Sequence, residues 1–137
     1  MRGILATMLV IATLSGEALA QAWPTRPIKL VVGFAPAGAA DTVARAYAEP
    51  LSRILGQPIV VENRAGAGSS IAAEAVAHSP PDGYTFLIAS PASISVNPAI
   101  NPGLNYRPSD LAPITKVSSS PLLVVEDVST EALDLGA

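Results

Sequence analysis

Three short apolar runs, each followed by a stretch of small residues, set the rhythm of the chain between residues 27 and 95. Ile28, Leu30, Val31 and Val32, broken only by Lys29, have the density of a strand covered on both faces in a parallel sheet. Gly33, Pro36, Ala37, Gly38, Ala39 and Ala40 then form a loop whose small side chains leave backbone N–H groups open to a ligand. The same order returns in residues 58–70, PIVVENRAGAGSS, and a third strand-to-loop passage occupies residues 84–95, YTFLIASPASIS. Strand ends arranged in this way converge on one crevice.

Between the runs the period changes to that of helices. Asp41 is placed to cap a helix carrying Val43, Ala44, Tyr47, Leu51, Ile54 and Leu55 on one face, with Gly56 ending it. Pro50 interrupts that pattern, since a proline inside a helix removes a hydrogen bond and costs about 3 kcal/mol, and it marks either a kink or an eroded sequence. A second strand is expected over residues 59–61, and Ser69 or Ser70 caps a second helix through Ile71, Ala72, Ala75 and Val76. Pro80 and Pro81 stop it, and Asp82-Gly83 turns into a third strand over residues 84–89. Strand, helix, strand, helix, strand is a right-handed βαβ series. Residues 91–113 read as a loop with one helical turn near Asn97, residues 122–125 as a further strand, and residues 130–135 as the opening of a helix.

Helix N-termini supply the candidate chemistry. Backbone N–H groups there carry roughly half a positive charge and stabilise a carboxylate by about 0.3–1 kcal/mol when exposed and up to ~2 when partly buried. Two such termini suit a dicarboxylate. The candidate contacts are Ala37, Gly38, Ala39, Ala40 and Asp41 in the first loop, and Gly66, Ala67, Gly68, Ser69 and Ser70 in the second. Ser90, Ala92 and Ser93 add amides and hydroxyls from the third. The same sequences also suit ordinary tight loops with no ligand. Asp41 reads equally as a plain cap, while Asn63 and Arg64 read as a solvated strand-end pair.

Composition narrows the function classes. Half of the 137 residues are hydrophobic and the formal charge is −3, with 8 basic residues scattered singly, so no Lys/Arg stripe for nucleic acid exists. Arg26, Lys29, Arg45 and Arg53 read as solvated surface. With no cysteine and a single histidine, His78 at a helix end, neither a metal site nor any cofactor is expected. The serines lack a G-x-S-x-G elbow, residues 33–38 lack the Lys-Ser/Thr of a phosphate loop, and the dinucleotide fingerprint is absent, so no catalytic residue is assigned. At the amino terminus, Arg2, an apolar run over residues 4–14 and Ala18-Leu19-Ala20 have the order of a secretory signal cleaved after Ala20 or Ala22. That run is too short for a stable bilayer span, so no direct membrane insertion is expected.

The series RPIKLVVGFAPAGAADTVAR, LGQPIVVENRAGAGSSIAAEAVA, PDGYTFLIAS, NPAI and DLAPITKV closely resembles the solute-binding receptors of tripartite tricarboxylate transporters, the Bug family, from about Trp23 to about Val128. The resemblance implies an α/β, periplasmic-binding-protein-like lobe with a mainly parallel sheet flanked by helices, truncated before most of a second lobe. It implies periplasmic capture of a small carboxylate, gripped by main-chain amides, and delivery to membrane permease subunits. A signal peptide would occupy residues 1–20, a first-lobe βαβαβ segment 21–115, and a crossover toward a missing lobe 116–137. The family's first loop usually carries Gly-Gly where Ala37-Gly38 stands here, so a Cβ at Ala37 is expected to narrow the pocket or exclude positive φ. Alone, such a chain is expected to be an incomplete receptor with open sheet edges. A truncated product without function and a nucleotide-dependent α/β enzyme fragment remain the alternatives.

Overall fold

In the computed structural model of the protein, residues 22–120 are described. The expected secretory segment, the strand over residues 122–125 and the helix over residues 130–135 lie outside them. Three parallel strands form the sheet: β1 (Ile28–Val32), β2 (Ile59–Asn63) and β3 (Thr85–Ile88), in the order β2-β1-β3. Leu30 of the central strand lies between Val61 and Phe86. The helix α1 (Ala39–Leu55) links β1 to β2, and α2 (Ser70–Ala77) links β2 to β3. The first link moves to one side of β1 and the second to the other. Right-handed crossovers therefore put the two helices on opposite faces and leave a switch point at the C-terminal end of β1.

Burial follows from that layering. Alternate side chains of a strand face opposite ways, so Leu30 and Val32 meet Ala44 of α1, with Ala40, Ile59, Val61, Phe86 and Ile88 closing round them. Ala72 and Ala73 of α2 are fully buried, as is Val31 to within 1%. Alanines at these contacts let both helix backbones come close to the sheet.

The expected face of α1 holds at Ala44, which is fully buried, and at half-buried Val43 and Leu55, but not at its larger members. Ala40, Asp41 and Ala44 face the sheet, whereas Tyr47 is 43% exposed, Leu51 37% and Ile54 78%. A one-step rotation of the helical wheel separates the two stripes, and size alone makes the outer one look like core. The Tyr47 hydroxyl instead donates to the Val117 carbonyl at 3.1 Å.

Helix boundaries also differ. The N-cap of α1 is Gly38, in extended conformation, and Asp41 is the third helical residue, so the cap assigned to Asp41 is corrected. Gly56 ends α1 with φ 68°, the left-handed turn that glycine takes without a Cβ penalty. Ser69 does precede α2, but its side chain makes no capping hydrogen bond. After β3 the expected loop contains more helix than one turn: a π-helical segment (Ala92–Val96) runs into α3 (Asn97–Ile100). Pro91 and Pro98 both fall where a missing N–H costs little, one ahead of the π-helical segment and one in the first turn of α3.

Ahead of β1, Arg26 stacks 4.1 Å from the Tyr84 ring centroid and pairs with Asp82 at 2.7 Å. The Asp82 carboxylate also accepts the Tyr84 N–H at 3.1 Å, so the Asp82-Gly83 turn and the incoming chain brace one another. Within α1, the helix runs unbroken through Pro50. Near its end the Ser52 hydroxyl donates to the Ala48 carbonyl at 2.7 Å and accepts the Ile59 N–H at 2.9 Å, tying helix to strand. Pro50→Ala restores the N–H that an interior proline lacks. It should stabilise the protein by about 2 kcal/mol, since interior proline costs up to ~3 relative to alanine. Urea denaturation of the two chains checks it, and an equal or lower midpoint in the variant contradicts it.

Candidate functional site

The first loop is organised by a carboxylate behind it. Asp41 is 2% exposed, and its Oδ2 accepts the Ala37 N–H at 2.8 Å and the Arg45 Nε–H at 2.9 Å. Its Oδ1 accepts the Asn63 amide at 2.9 Å, and the same Asn63 nitrogen donates to the Phe34 carbonyl at 3.1 Å. These donors, led by Arg45, hold the Asp41 carboxyl far below the usual carboxylate range, so it is ionised at any working pH. Arg45 is correspondingly shifted up by Asp41 and also approaches the Asn63 side-chain carbonyl at 3.3 Å. Three sequence readings change here. Arg45 is partly exposed yet committed to a buried partner, Asn63 bridges β2 to the first loop rather than standing in solvent, and Asp41 is a neutralised support. Arg64 is exposed at the strand end and pairs with Glu62, a partner the sequence reading did not name.

This network decides which amides of the first loop remain free. The Ala37 N–H is taken by Asp41, and the Gly38 N–H makes a long bond to the Ala35 carbonyl at 3.4 Å. The helical ladder starts with Thr42 N–H to the Gly38 carbonyl at 2.9 Å, so the amides of Ala39, Ala40 and Asp41 precede it. They carry the positive end of a 17-residue helix. Residues 34–40 line a shallow depression on this surface. Ala37 has φ 65°, so of the two expectations for its Cβ the exclusion of positive φ does not hold; the loop adopts the left-handed conformation under strain.

The second loop is a left-handed turn. Gly66 (φ 135°), Ala67 (φ 46°), Gly68 (φ 60°) and Ser69 (φ 73°) all have positive φ, and the Ser69 N–H closes on the Gly66 carbonyl at 2.9 Å. Two of these residues carry a Cβ, a conformation costing of order 1–2 kcal/mol each, which persists only where surroundings over-determine it. One such constraint is Gly33. A Cβ built there would collide with the Ser69 side chain and lie 2.9 Å from its Cα, so the first strand's end and the second loop touch backbone to side chain. Ser69 is 1% exposed and its Oγ has no hydrogen-bond partner among the described residues.

The third loop turns inward. Ser93 is fully buried, its hydroxyl donates to the Ser90 carbonyl at 3.1 Å, and the Ser93 N–H closes on the same carbonyl at 3.1 Å. Its hydroxyl is thus spent inside the loop, whereas Ser90 and Ala92 remain partly accessible. Tyr106, which sequence reasoning missed, is 4% exposed and donates to the Ser93 carbonyl while lying 3.3 Å from Ser70 Oγ. The sequence marks Asn97 only as part of a helical turn, yet its amide reaches the second loop. A polar residue that packs inside leaves no periodic signal, so neither role was legible.

The arrangement gathers main-chain donors of two helix N-termini at the switch point, with no basic side chain in residues 33–40 or 66–70. Among the described residues no cluster of His, Cys, Asp or Glu is suited to a metal ion. His78 lies at the end of α2, its Nδ1 2.9 Å from the Glu74 carbonyl oxygen. Main-chain N–H groups at helix N-termini are donors suited to an anion.

Two substitutions test the support of the first loop. Ala37→Gly relieves the left-handed Cβ, worth about 1–2 kcal/mol, and returns about 0.4–1 through the freer unfolded chain, so a net gain of about 0.5–1 kcal/mol in denaturant stability is expected. Loss of stability would show that φ at residue 37 is not strained. Asp41→Asn removes the charge that Arg45 and the Ala37 N–H address, and should lower the thermal midpoint at pH 7. The folded pKa is depressed, so the carboxylate's contribution is present above the unfolded value of about 3.9 and is lost as pH falls below it toward the folded value. The gap between wild type and Asp41→Asn should therefore be constant from about pH 5 to pH 8 and narrow below about pH 4. A gap that widens in acid contradicts this.

Comparison with known proteins bears on the family and the fold. The family described as tripartite tricarboxylate transporter family receptor matches residues 43–133. BugT of Bordetella pertussis is 39% identical over 124 residues, covering 89% of this chain and 38% of its own length. Among solved structures, MatC from Rhodopseudomonas palustris with bound malate superposes with TM-score 0.59 at 43% identity, over 63% of this chain and 29% of that one. Rpa4515 of R. palustris with adipate gives TM-score 0.50 at 49% identity, over 50% of this chain and 23% of that one. The chain thus spans little more than a third of the length of this curated relative, and the part it spans includes the strands and loops described above. No helix among the described residues is long and apolar enough to cross a membrane. A parallel sheet whose strand ends present main-chain donors, together with a match over most of the chain, places this protein in the tripartite tricarboxylate transporter receptor family.

Proposed function

We propose that the chain supplies the first wall of a periplasmic solute-binding site for small dicarboxylates, working with the membrane permease of a tripartite tricarboxylate transporter. The observation that carries this reading is the pair of helix N-termini, α1 with free amides at Ala39 and Ala40 and α2 behind the left-handed turn, both at the switch point beside the Gly33–Ser69 contact. Solved relatives, one with bound malate and one with adipate, support the ligand class. Residues 1–20 are the export signal, 21–115 the first-lobe segment and 116–137 the crossover in this proposal. The ligand contacts are main-chain groups of Ala39 and Ala40 in the first loop, those of Gly66, Ala67 and Gly68 in the second, and Ser90 and Ala92 in the third. Binding and delivery, with no chemistry on the ligand, is the role proposed.

Magnitudes set the expected affinity. A helix terminus contributes up to ~2 kcal/mol where the bound anion itself leaves it partly buried, so two give at most about 4, a dissociation constant no tighter than the order of millimolar. Closure of a second lobe over the anion would strengthen it by excluding water. Calorimetric titration of the full chain with malate should show saturable millimolar binding. Ala39→Asp places a carboxylate at the first turn of α1, where it favours the helix but competes for the site, so binding should weaken at least about tenfold with unchanged thermal midpoint. Arg53→Ala, at an exposed pair with Glu49, should change nothing. Unaltered binding in Ala39→Asp, or equal loss in Arg53→Ala, would overturn the amide-based site.

A further inference from the structure

The left-handed turn of the second loop is closed on its own backbone by Ser69 N–H to the Gly66 carbonyl and Ser70 N–H to the Ala67 carbonyl, and the geometry points to Asn97 as the positioning residue that sets this loop for anion binding. Asn97 lies thirty residues beyond Ala67, at the start of α3. Its Nδ2 donates to the Ala67 carbonyl at 2.9 Å, lies 3.2 Å from the Gly68 carbonyl and reaches Ser70 Oγ at 2.8 Å. Two of the three neighbours are carbonyls, which can only accept, and this fixes the nitrogen and not the oxygen of the amide on this side. The two hydrogens of one NH2 group thus gather two consecutive carbonyls and the first hydroxyl of α2.

A trans peptide plane sends its C=O and its N–H in opposite directions. Drawing the Ala67 carbonyl onto Asn97 therefore turns the Gly68 N–H away from Asn97, and no acceptor among the described residues takes that N–H. Gly68 serves twice. It sits at φ 60°, and a Cβ there would approach Asn97 Nδ2 to 2.8 Å, so glycine lets the amide come under the turn. Tyr106 braces the other side, with its hydroxyl between the Ser93 carbonyl and Ser70 Oγ. The helical segment after β3 thus acts on the second loop from behind without touching ligand. Asn97 is a positioning residue, and its effect on affinity rests on the carboxylate-binding reading above, whereas its effect on backbone conformation does not.

Two variants of the full chain separate these effects. Asn97→Asp keeps the size and replaces the donor with an acceptor facing the Ala67 and Gly68 carbonyls, and Asn97→Ala removes the group. In isotopically labelled protein, the φ-sensitive backbone couplings of Ala67 and Ser69 should leave the left-handed range in both variants. Amide signals of β1 and the middle of α1 should stay unchanged, and the dissociation constant for malate should rise at least about tenfold, the loss expected when one of two helix termini is misplaced. Left-handed couplings retained in either folded variant would overturn the proposal. Should both variants fail to fold, the wild-type protein decides: the Asn97 side-chain amide protons should exchange slowly and show cross-relaxation to Ala67 and Gly68, and freely exchanging protons without it would overturn the assignment. If wild type binds no malate, the carboxylate reading fails while the couplings still judge Asn97.

Discussion

Gly33 and Ser69 set the spacing on which the rest of the site depends. The central strand ends at Val32, and the next residue has no room for a side chain because Ser69 lies against its Cα. The contact brings the second loop to the end of β1, beside the start of the first loop. Everything else holds the loops in shape around that contact. Asp41 and Asn63 support the first from the α1 and β2 side, and Asn97 and Tyr106 support the second from the segment after β3. The polar groups behind each loop consume carbonyls and selected amides, and the amides left over are the ones that face outward.

This division explains why positive φ is tolerated at Ala37, Ala67 and Ser69. A loop built only from glycine would reach the same shape with less strain and with more freedom to lose it. Residues with a Cβ there, locked by hydrogen bonds from elsewhere in the chain, give a preformed surface at some cost in stability. The outer edges of β2 and β3 have no strand beside them among the described residues, and Val60 is 51% exposed. Such edges are ordinarily paired or covered, which fits a chain spanning 38% of the length of a curated relative.

Much of this architecture is readable from residue order. The strands announce themselves because a central parallel strand is apolar on both faces, as Ile28, Leu30, Val31 and Val32 are. The loops announce themselves through Gly and Ala where backbone must approach something. What stayed hidden is of another kind. Which stripe of α1 packs depends on the close approach of Ala40 and Ala44, and the larger Tyr47, Leu51 and Ile54 point to the wrong side. Asp41 looks like a cap because acidic residues favour helix starts, yet its partners Arg45 and Asn63 are specified only by the fold. Asn97 and Tyr106 act across about thirty residues of sequence or more, and no local pattern records such a hydrogen bond.

In the proposed site main-chain amides of two loops, and not basic side chains, receive the anion. The most direct measurement follows every backbone amide of the full chain by heteronuclear NMR while malate is added at constant pH and ionic strength. The account predicts saturable shifts concentrated at Ala39, Ala40, Ala67 and Gly68, with one common dissociation constant and little change at Arg26, Lys29 or Arg53. Shifts concentrated at the basic residues, with Ala39, Ala40, Ala67 and Gly68 unmoved, would contradict it.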